Sequence, residues 1–186
     1  SISCPTDIMV NNDVGTCGAV VNYTDPVGTD NCPGVTVTND KPAIFPIGVT
    51  TVTWTATDAA GNVTTCTHNV TVTDIENPTI SCPTDVTVST DLGLCTASGV
   101  NLGSPIANDN CTGFTVTNNA PATFPIGSTT VIWTITDPTG NTATCSQMVT
   151  VNDTEDPTIS CPATVNVSTD PGLCTASSVT LSNPTF

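Results

Sequence analysis

Basic side chains are almost missing from this sequence. Lys41 is its single lysine or arginine, set against sixteen acidic residues for a net charge of −15. Nothing here can neutralise a run of phosphates, which excludes nucleic acid as a partner and argues against docking on anionic lipid. Histidine is equally scarce. His68 stands alone, and the aligned position of the next repeat holds Gln147, so no catalytic base recurs. No nucleophile elbow, phosphate loop or dinucleotide fingerprint appears, and the chain reads as no enzyme. Apolar runs are only a few residues long, which leaves no membrane span and no secretory leader within these residues. An export signal or anchor, where there is one, is expected outside the segment. No stretch carries a helical stripe either.

What the chain does have is repetition. "NPTISCPTDVTVSTDLGLCTAS" around Cys82 returns as "DPTISCPATVNVSTDPGLCTAS" around Cys161, and a relative of it opens the chain. "FPIG" stands at Phe45–Gly48 and again at Phe124–Gly127, Trp54 recurs as Trp133, and Cys66 as Cys145. An interval of roughly 79 residues is a small domain and not a solenoid turn, so the chain is an array of beads. The expected units are 1–78, 79–157 and 158–186, the last being the opening strands of a third, incomplete repeat in a longer array.

Ten cysteines fall four to each full repeat: Cys4, Cys17, Cys32 and Cys66, then Cys82, Cys95, Cys111 and Cys145, with Cys161 and Cys174 opening a third set. Their spacing is far wider than the roughly two to four residues between the paired cysteines of zinc sites, and it points to disulfides in an oxidising compartment. Four cysteines allow three connectivities, which spacing alone leaves open.

Periodicity names the fold class. In "TTVTWTATD", Val52, Trp54 and Ala56 alternate with Thr51, Thr53, Thr55 and Thr57, and Val131, Trp133 and Ile135 repeat the scheme. Period two with threonine outside is the pattern of a half-buried antiparallel strand. "DAAGN" and "DPTGN" are turns leading into the next strand. Strands near 6–10, 19–23, 35–38, 44–45, 50–57 and 64–73 predict an all-β protein, a string of immunoglobulin-like sandwiches of about seven strands each. Trp54 and Trp133 are the expected core anchors.

The succession "PTISCP", "D-x-G-x-C", "DNC", "FPIG", "T-D-x-x-GN", "C" and "VTV" resembles the hyalin repeat, or HYR domain, over essentially the whole chain. The resemblance implies an extracellular or cell-surface location, tandem repetition, roles in adhesion or as stalks, and no catalysis. Simpler members carry only the cysteine of "CP" and the one after "GN", which implies bonds Cys4–Cys66 and Cys82–Cys145. Cys17–Cys32 and Cys95–Cys111 then form the second pair of each repeat, and Cys161 and Cys174 find partners outside the segment or none.

The joints hold the remaining chemistry. "DIENP" (Asp74–Pro78) and "DTEDP" (Asp153–Pro157) join successive repeats with almost no spare chain, stiffened by proline. The "D-x-G-x-C" turn is expected at the downstream end of its repeat, with "DNC" and the last hairpin turn at the upstream end. Carboxylates meeting there suit calcium, and Asp74, Glu76, Asp109, Asp153 and Glu155 are its candidate ligands. The expected function is structural, a rod or fibre whose partners are further copies of the same repeat. The alternative is an adhesin that binds a glycan or protein through its loops.

Overall fold

A computed structural model describes residues 1–185 of the chain. The first repeat contributes β1 (Ile8–Asn11), β2 (Gly18–Ala19), β3 (Thr36–Asn39), β4 (Phe45–Pro46), β5 (Gly48–Thr57) and β6 (Val63–Thr73). The second contributes β7 (Thr79–Ser81), β8 (Val86–Ser89), β9 (Thr96–Ser98), β10 (Ile106–Asn108), β11 (Thr115–Asn118), β12 (Thr123–Pro125), β13 (Gly127–Thr136) and β14 (Thr142–Asn152). The fold is all-β, two immunoglobulin-like sandwiches in tandem.

Each repeat has one four-stranded sheet, ordered β1-β6-β5-β3 in the first and β8-β14-β13-β11 in the second. Opposite it lie short pairs, β2-β4 in the first repeat and β9-β12 with β7-β10 in the second. The opening strand runs parallel to the closing one, with Ile8 beside Val70 and Val86 beside Val149. Alternation along β5 places Val52, Trp54 and Ala56 inside, and β6 adds Val70 and Val72 from the same face. Phe45 and Ala19 close the core from the smaller sheet. The "FPIG" segment is where the chain changes sheets. Phe45 belongs to the small sheet, and Gly48 (φ 100°) or Gly127 (φ 98°) turns the backbone into the large one in a region that disfavours side chains.

Trp54 faces Cys66 across the β5-β6 ladder, as Trp133 faces Cys145. Disulfides Cys4–Cys66 and Cys82–Cys145 therefore pack against the two indoles, joining the first strand region of each repeat to its last strand. The indole N–H needs a partner in this dry setting. His68 Nδ1 accepts it in the first repeat at 3.3 Å, and Gln147 Oε1 in the second at 3.0 Å. The histidine that has no counterpart is thus a hydrogen-bond acceptor that glutamine replaces. Gln147 also donates through Nε2 to the carbonyls of Thr84 (2.7 Å) and Leu102 (2.9 Å). Gln147→Leu would strand one buried donor and two carbonyls, and it is expected to cost the second repeat about 2–3 kcal/mol in a denaturant titration.

The second pair of disulfides departs from expectation. Cys17 is bonded to Cys111 of the next repeat and not to Cys32, and Cys95 is not bonded to Cys111. The reason is distance within a repeat. The turn bearing Cys17 follows β1 at the end where Asn12 meets Thr73, whereas Asp30 lies by Asp58 and Asn62 at the opposite end. Ten residues of β5 separate those ends, roughly 30 Å of strand, while bonded cysteines hold their Cα atoms within about 7 Å. Cys32, Cys95, Cys161 and Cys174 are unbonded and exposed.

Residues 158–185 do not form the strands expected of a third repeat. Their backbone pairing is an isolated bridge between Ser160 and Thr185. Copies one and two show why: β1 and β8 form against β6 and β14 of their own repeat, and residues 158–185 contain no counterpart of those closing strands. The "D-x-G-x-C" turn does form there, because it is local. Asp170 Oδ2 accepts Ser177 N–H at 2.9 Å, as Asp13 accepts Val20 N–H and Asp91 accepts Ser98 N–H, both at 2.8 Å.

Candidate functional site: the joint between repeats

Four short segments converge where the first repeat meets the second. The downstream end of the first supplies the Asp13–Cys17 turn and the linker from Asp74, and the upstream end of the second supplies Asp109–Cys111 and the hairpin turn at Asp137–Asn141. Gly15 sits at φ 71°, a left-handed backbone that suits glycine, and that conformation aims its N–H outward at the linker. Both carboxylate oxygens of Glu76 accept it, at 2.8 and 3.0 Å. Asp74 Oδ1 in turn accepts Glu76 N–H at 3.1 Å, and Asn12 Oδ1 accepts Ile75 N–H at 3.1 Å. The linker is thereby tied to the repeat it leaves.

Across the joint, Asn110 Nδ2 donates to the Thr16 carbonyl at 3.3 Å and reaches Asp74 Oδ1 at 3.4 Å. Asn141 Nδ2 donates to the Asp74 carbonyl at 3.2 Å. The covalent tie is Cys17–Cys111, whose Cα atoms lie 4.9 Å apart. Asp137, which shapes the hairpin turn behind Asn141, is buried, and burial opposes its ionisation. Hydrogen bonds from Thr139 Oγ1, from Asn141 and from the Gly140 and Asn141 amides outweigh that and hold its carboxyl below the ordinary aspartate range.

Of the candidate calcium ligands, the structure brings Asp74 and Asp109 together. One oxygen of each, with Cys111 Sγ, lies within 4.8 Å of the others. That sulfur is half of a disulfide and offers no thiolate. Asp74 is 3 % exposed, a buried carboxylate that faces Asp109 across the joint and accepts a long hydrogen bond there from the Asn110 amide. Asp109 Oδ1 and Asn110 Oδ1 are buried without a hydrogen-bond partner. Glu76 lines the same cleft, with both oxygens turned to Gly15. Asp153 and Glu155 lie apart at the end of the second repeat, where Glu155 accepts Gly93 N–H at 2.9 and 3.0 Å. Among the described residues no "DNC" segment faces them.

Asn110 and Asn141 are the joint residues that the sequence reading missed. Both sit in turns that the strand order puts at the upstream end of the second repeat, so position is the signal in the sequence that could find them, whereas their amide chemistry gives none.

The HYR domain model matches residues 1–72 and 73–151. Hyalin of Lytechinus variegatus is 38% identical over 177 residues, covering 86% of this chain and 32% of that protein. Hyalin of Strongylocentrotus purpuratus is 32% identical over 173 residues, covering 87% and 14%. A rat protein with sushi, von Willebrand factor type A, EGF and pentraxin domains is 33% identical over 153 residues, 77% of this chain and 4% of its own. The chain spans a third or less of the length of these relatives. Among solved structures, human mucin-like protocadherin EC1-2 aligns over 82% of this chain and 98% of that one, at 13% identity and a TM-score of 0.44.

Proposed function

The chain belongs to the HYR family, and from that premise we propose that it serves as a stiff, covalently jointed rod in a stalk, filament or matrix. It is an extracellular or cell-surface protein, an adhesion-type module of tandem repeats. Among the described residues no helix is long and apolar enough to cross a membrane. The observation that carries the rod is the Cys17–Cys111 disulfide, which spans the joint instead of stapling one repeat. A linker alone would permit a hinge. A linker held by Glu76 and Asn12, with a disulfide beside it, gives two attachments between the same pair of domains and resists bending and twisting.

In this reading the chain catalyses nothing, and the family is a non-catalytic module. His68 is committed to the Trp54 indole inside the core. The near identity of "DNC", "FPIG" and the "GN" turn between copies favours scaffold over loop-borne recognition. Its partners are further copies of the same repeat.

Calcium completes the joint. Asp74, Asp109 and the Asn110 carbonyl oxygen would hold it, since a hard cation takes oxygen ligands and Asp109 Oδ1 and Asn110 Oδ1 have no other partner. Two carboxylates meeting without an ion repel by about 4 kcal/mol at ~4 Å and an effective dielectric near 20. Asp153 and Glu155 would serve the equivalent joint with a following repeat.

Solution scattering of the chain tests the rod. The expected profile is that of two beads at fixed spacing, unchanged by moderate salt, and a broad distribution of spacings would overturn the reading. Calorimetric titration tests the ion. One calcium per chain is expected, lost in Asp109→Asn, whereas no binding, or binding indifferent to that substitution, would reduce the carboxylates to turn chemistry.

A further inference from the structure

His68 is the single histidine of the sequence and is buried in the core of the first repeat. Its Nδ1 accepts the Trp54 indole N–H, so the proton of the neutral ring sits on Nε2. That Nε2 is buried with no hydrogen-bond partner. One hydrogen bond therefore holds the ring, and it is the bond that a second proton abolishes. A protonated Nδ1 is a donor aimed at another donor, and the imidazolium would keep both its N–H groups unsatisfied in the core. Gln147 holds the same place in the second repeat. It accepts the Trp133 indole and donates to two carbonyls, and an amide takes up no proton.

The surroundings of the ring oppose a positive charge. Tyr23, from the chain after β2, stands edge-on to it with ring centroids 5.1 Å apart, and Trp54 of β5 stacks on it at 6.4 Å. Lys41, from the chain after β3, already brings a cation to this cluster, with Nζ 5.1 Å from the Tyr23 ring and 5.5 Å from the Trp54 ring. The nearby carboxylates are spent elsewhere. Asp25 pairs with Lys41 at 2.8 Å, Asp40 accepts Thr53 N–H and Asp7 accepts Asn69 N–H. The Cys4–Cys66 disulfide does not titrate. Neither ring nitrogen of His68 meets a carboxylate.

We propose that His68 makes the first repeat a proton-sensitive element: one proton taken up by the imidazole detaches the ring from Trp54 and loosens that repeat. Gln147 leaves the second repeat insensitive, and acid reaches it only through the Cys17–Cys111 bond. The inference stands apart from the rod reading and from calcium. The proton comes from solvent and goes to Nδ1, and the freed indole and imidazolium N–H groups turn to water. The sign follows from proton counting. An exposed imidazole in the unfolded chain binds a proton near about pH 6.5, while the folded core has no place for it. The unfolded state then holds more protons, so stability rises with pH and is lost below that value, by about tenfold in the unfolding constant per pH unit.

The test is a urea titration of the full chain at about pH 7.5 and about pH 5.5, a window above the range in which ordinary carboxylates titrate. Tryptophan emission reads the unfolding, with chelator present so that no ion at the joint titrates alongside. The unfolding constant is expected to rise about tenfold at the lower pH, and His68→Gln, which installs the side chain of the second repeat, should remove that rise. Nuclear magnetic resonance of the single histidine supplies a readout that needs no variant. Its imidazole and the Trp54 indole proton should change together, as the folded population falls. An unfolding constant equal at the two pH values would overturn the proposal. So would a rise that His68→Gln retains, or an imidazole that takes up its proton in the folded chain while the Trp54 indole signal stays in place. Should His68→Gln fail to fold, the wild-type titration and the two resonances decide by themselves.

Discussion

Trp133→Ala is expected to destabilise the second repeat by about 3–5 kcal/mol, and Trp54→Ala the first by a similar amount. Each indole is among the largest side chains of its core, with exposures of 7 % and 1 %. Each lies against the repeat's own disulfide and leaves behind an unpaired acceptor, Gln147 Oε1 or His68 Nδ1, when removed. Domains of this size are stable by only about 5–15 kcal/mol, so the loss brings a repeat close to unfolding at room temperature. One tryptophan per repeat makes the measurement clean. In Trp133→Ala the surviving Trp54 emission follows the first repeat, while circular dichroism follows both. Native emission that is already red-shifted and quenched, or a change below about 1 kcal/mol, would contradict the burial on which the core rests.

The periodicity of "TTVTWTATD" was enough to place β5, its inner face and the tryptophan, because one alternating pattern settles register when one face is buried. Turn chemistry did the same for "D-x-G-x-C", whose hydrogen bonds recur in all three copies, including one that has no sheet around it. The third set of strands failed for the opposite reason. Residues 158–185 carry strand-like alternation, but a strand is completed by its neighbour, and alternation cannot supply one. At the joint, the positions of Cys17 and Cys111 followed from the strand order, and their bond did not. Pairing inside a repeat conflicts with that strand order, which puts the two turns at opposite ends of the same sandwich. His68 and Gln147 show the limit of reading side chains by type. Their shared role is to accept one indole proton, which neither spacing nor composition expresses.

Replacing Cys17 and Cys111 by serine is expected to remove about 4–5 kcal/mol on the chain-entropy estimate for a loop of this length, and the loss should appear in both repeats. The distinction from the internal disulfides is one of topology. Cys82–Cys145 closes a loop with a sequence separation of 63 inside one sandwich, so its loss acts directly on the second repeat alone, by about 4 kcal/mol, and reaches the first only through the Cys17–Cys111 bond. Cys17–Cys111 spans 94 residues and both cores. When the first repeat unfolds, its chain from Cys17 to the linker remains tethered at both ends to the folded second repeat, and the converse holds when the second unfolds. Either unfolded state therefore loses entropy to the same bond. The two repeats should melt as a coupled unit with the bond present and as two independent transitions without it. Tryptophan emission in the Trp54→Phe and Trp133→Phe backgrounds would resolve the two midpoints. Scattering on the same protein should show the spacing between beads broaden once the covalent tie is gone and only the Asn110 and Asn141 amides cross the joint. Unchanged midpoints together with an unchanged profile would mean that those amides and the proline-bearing linker already fix the geometry, leaving the disulfide to guard the joint against reduction-independent wear such as proteolysis.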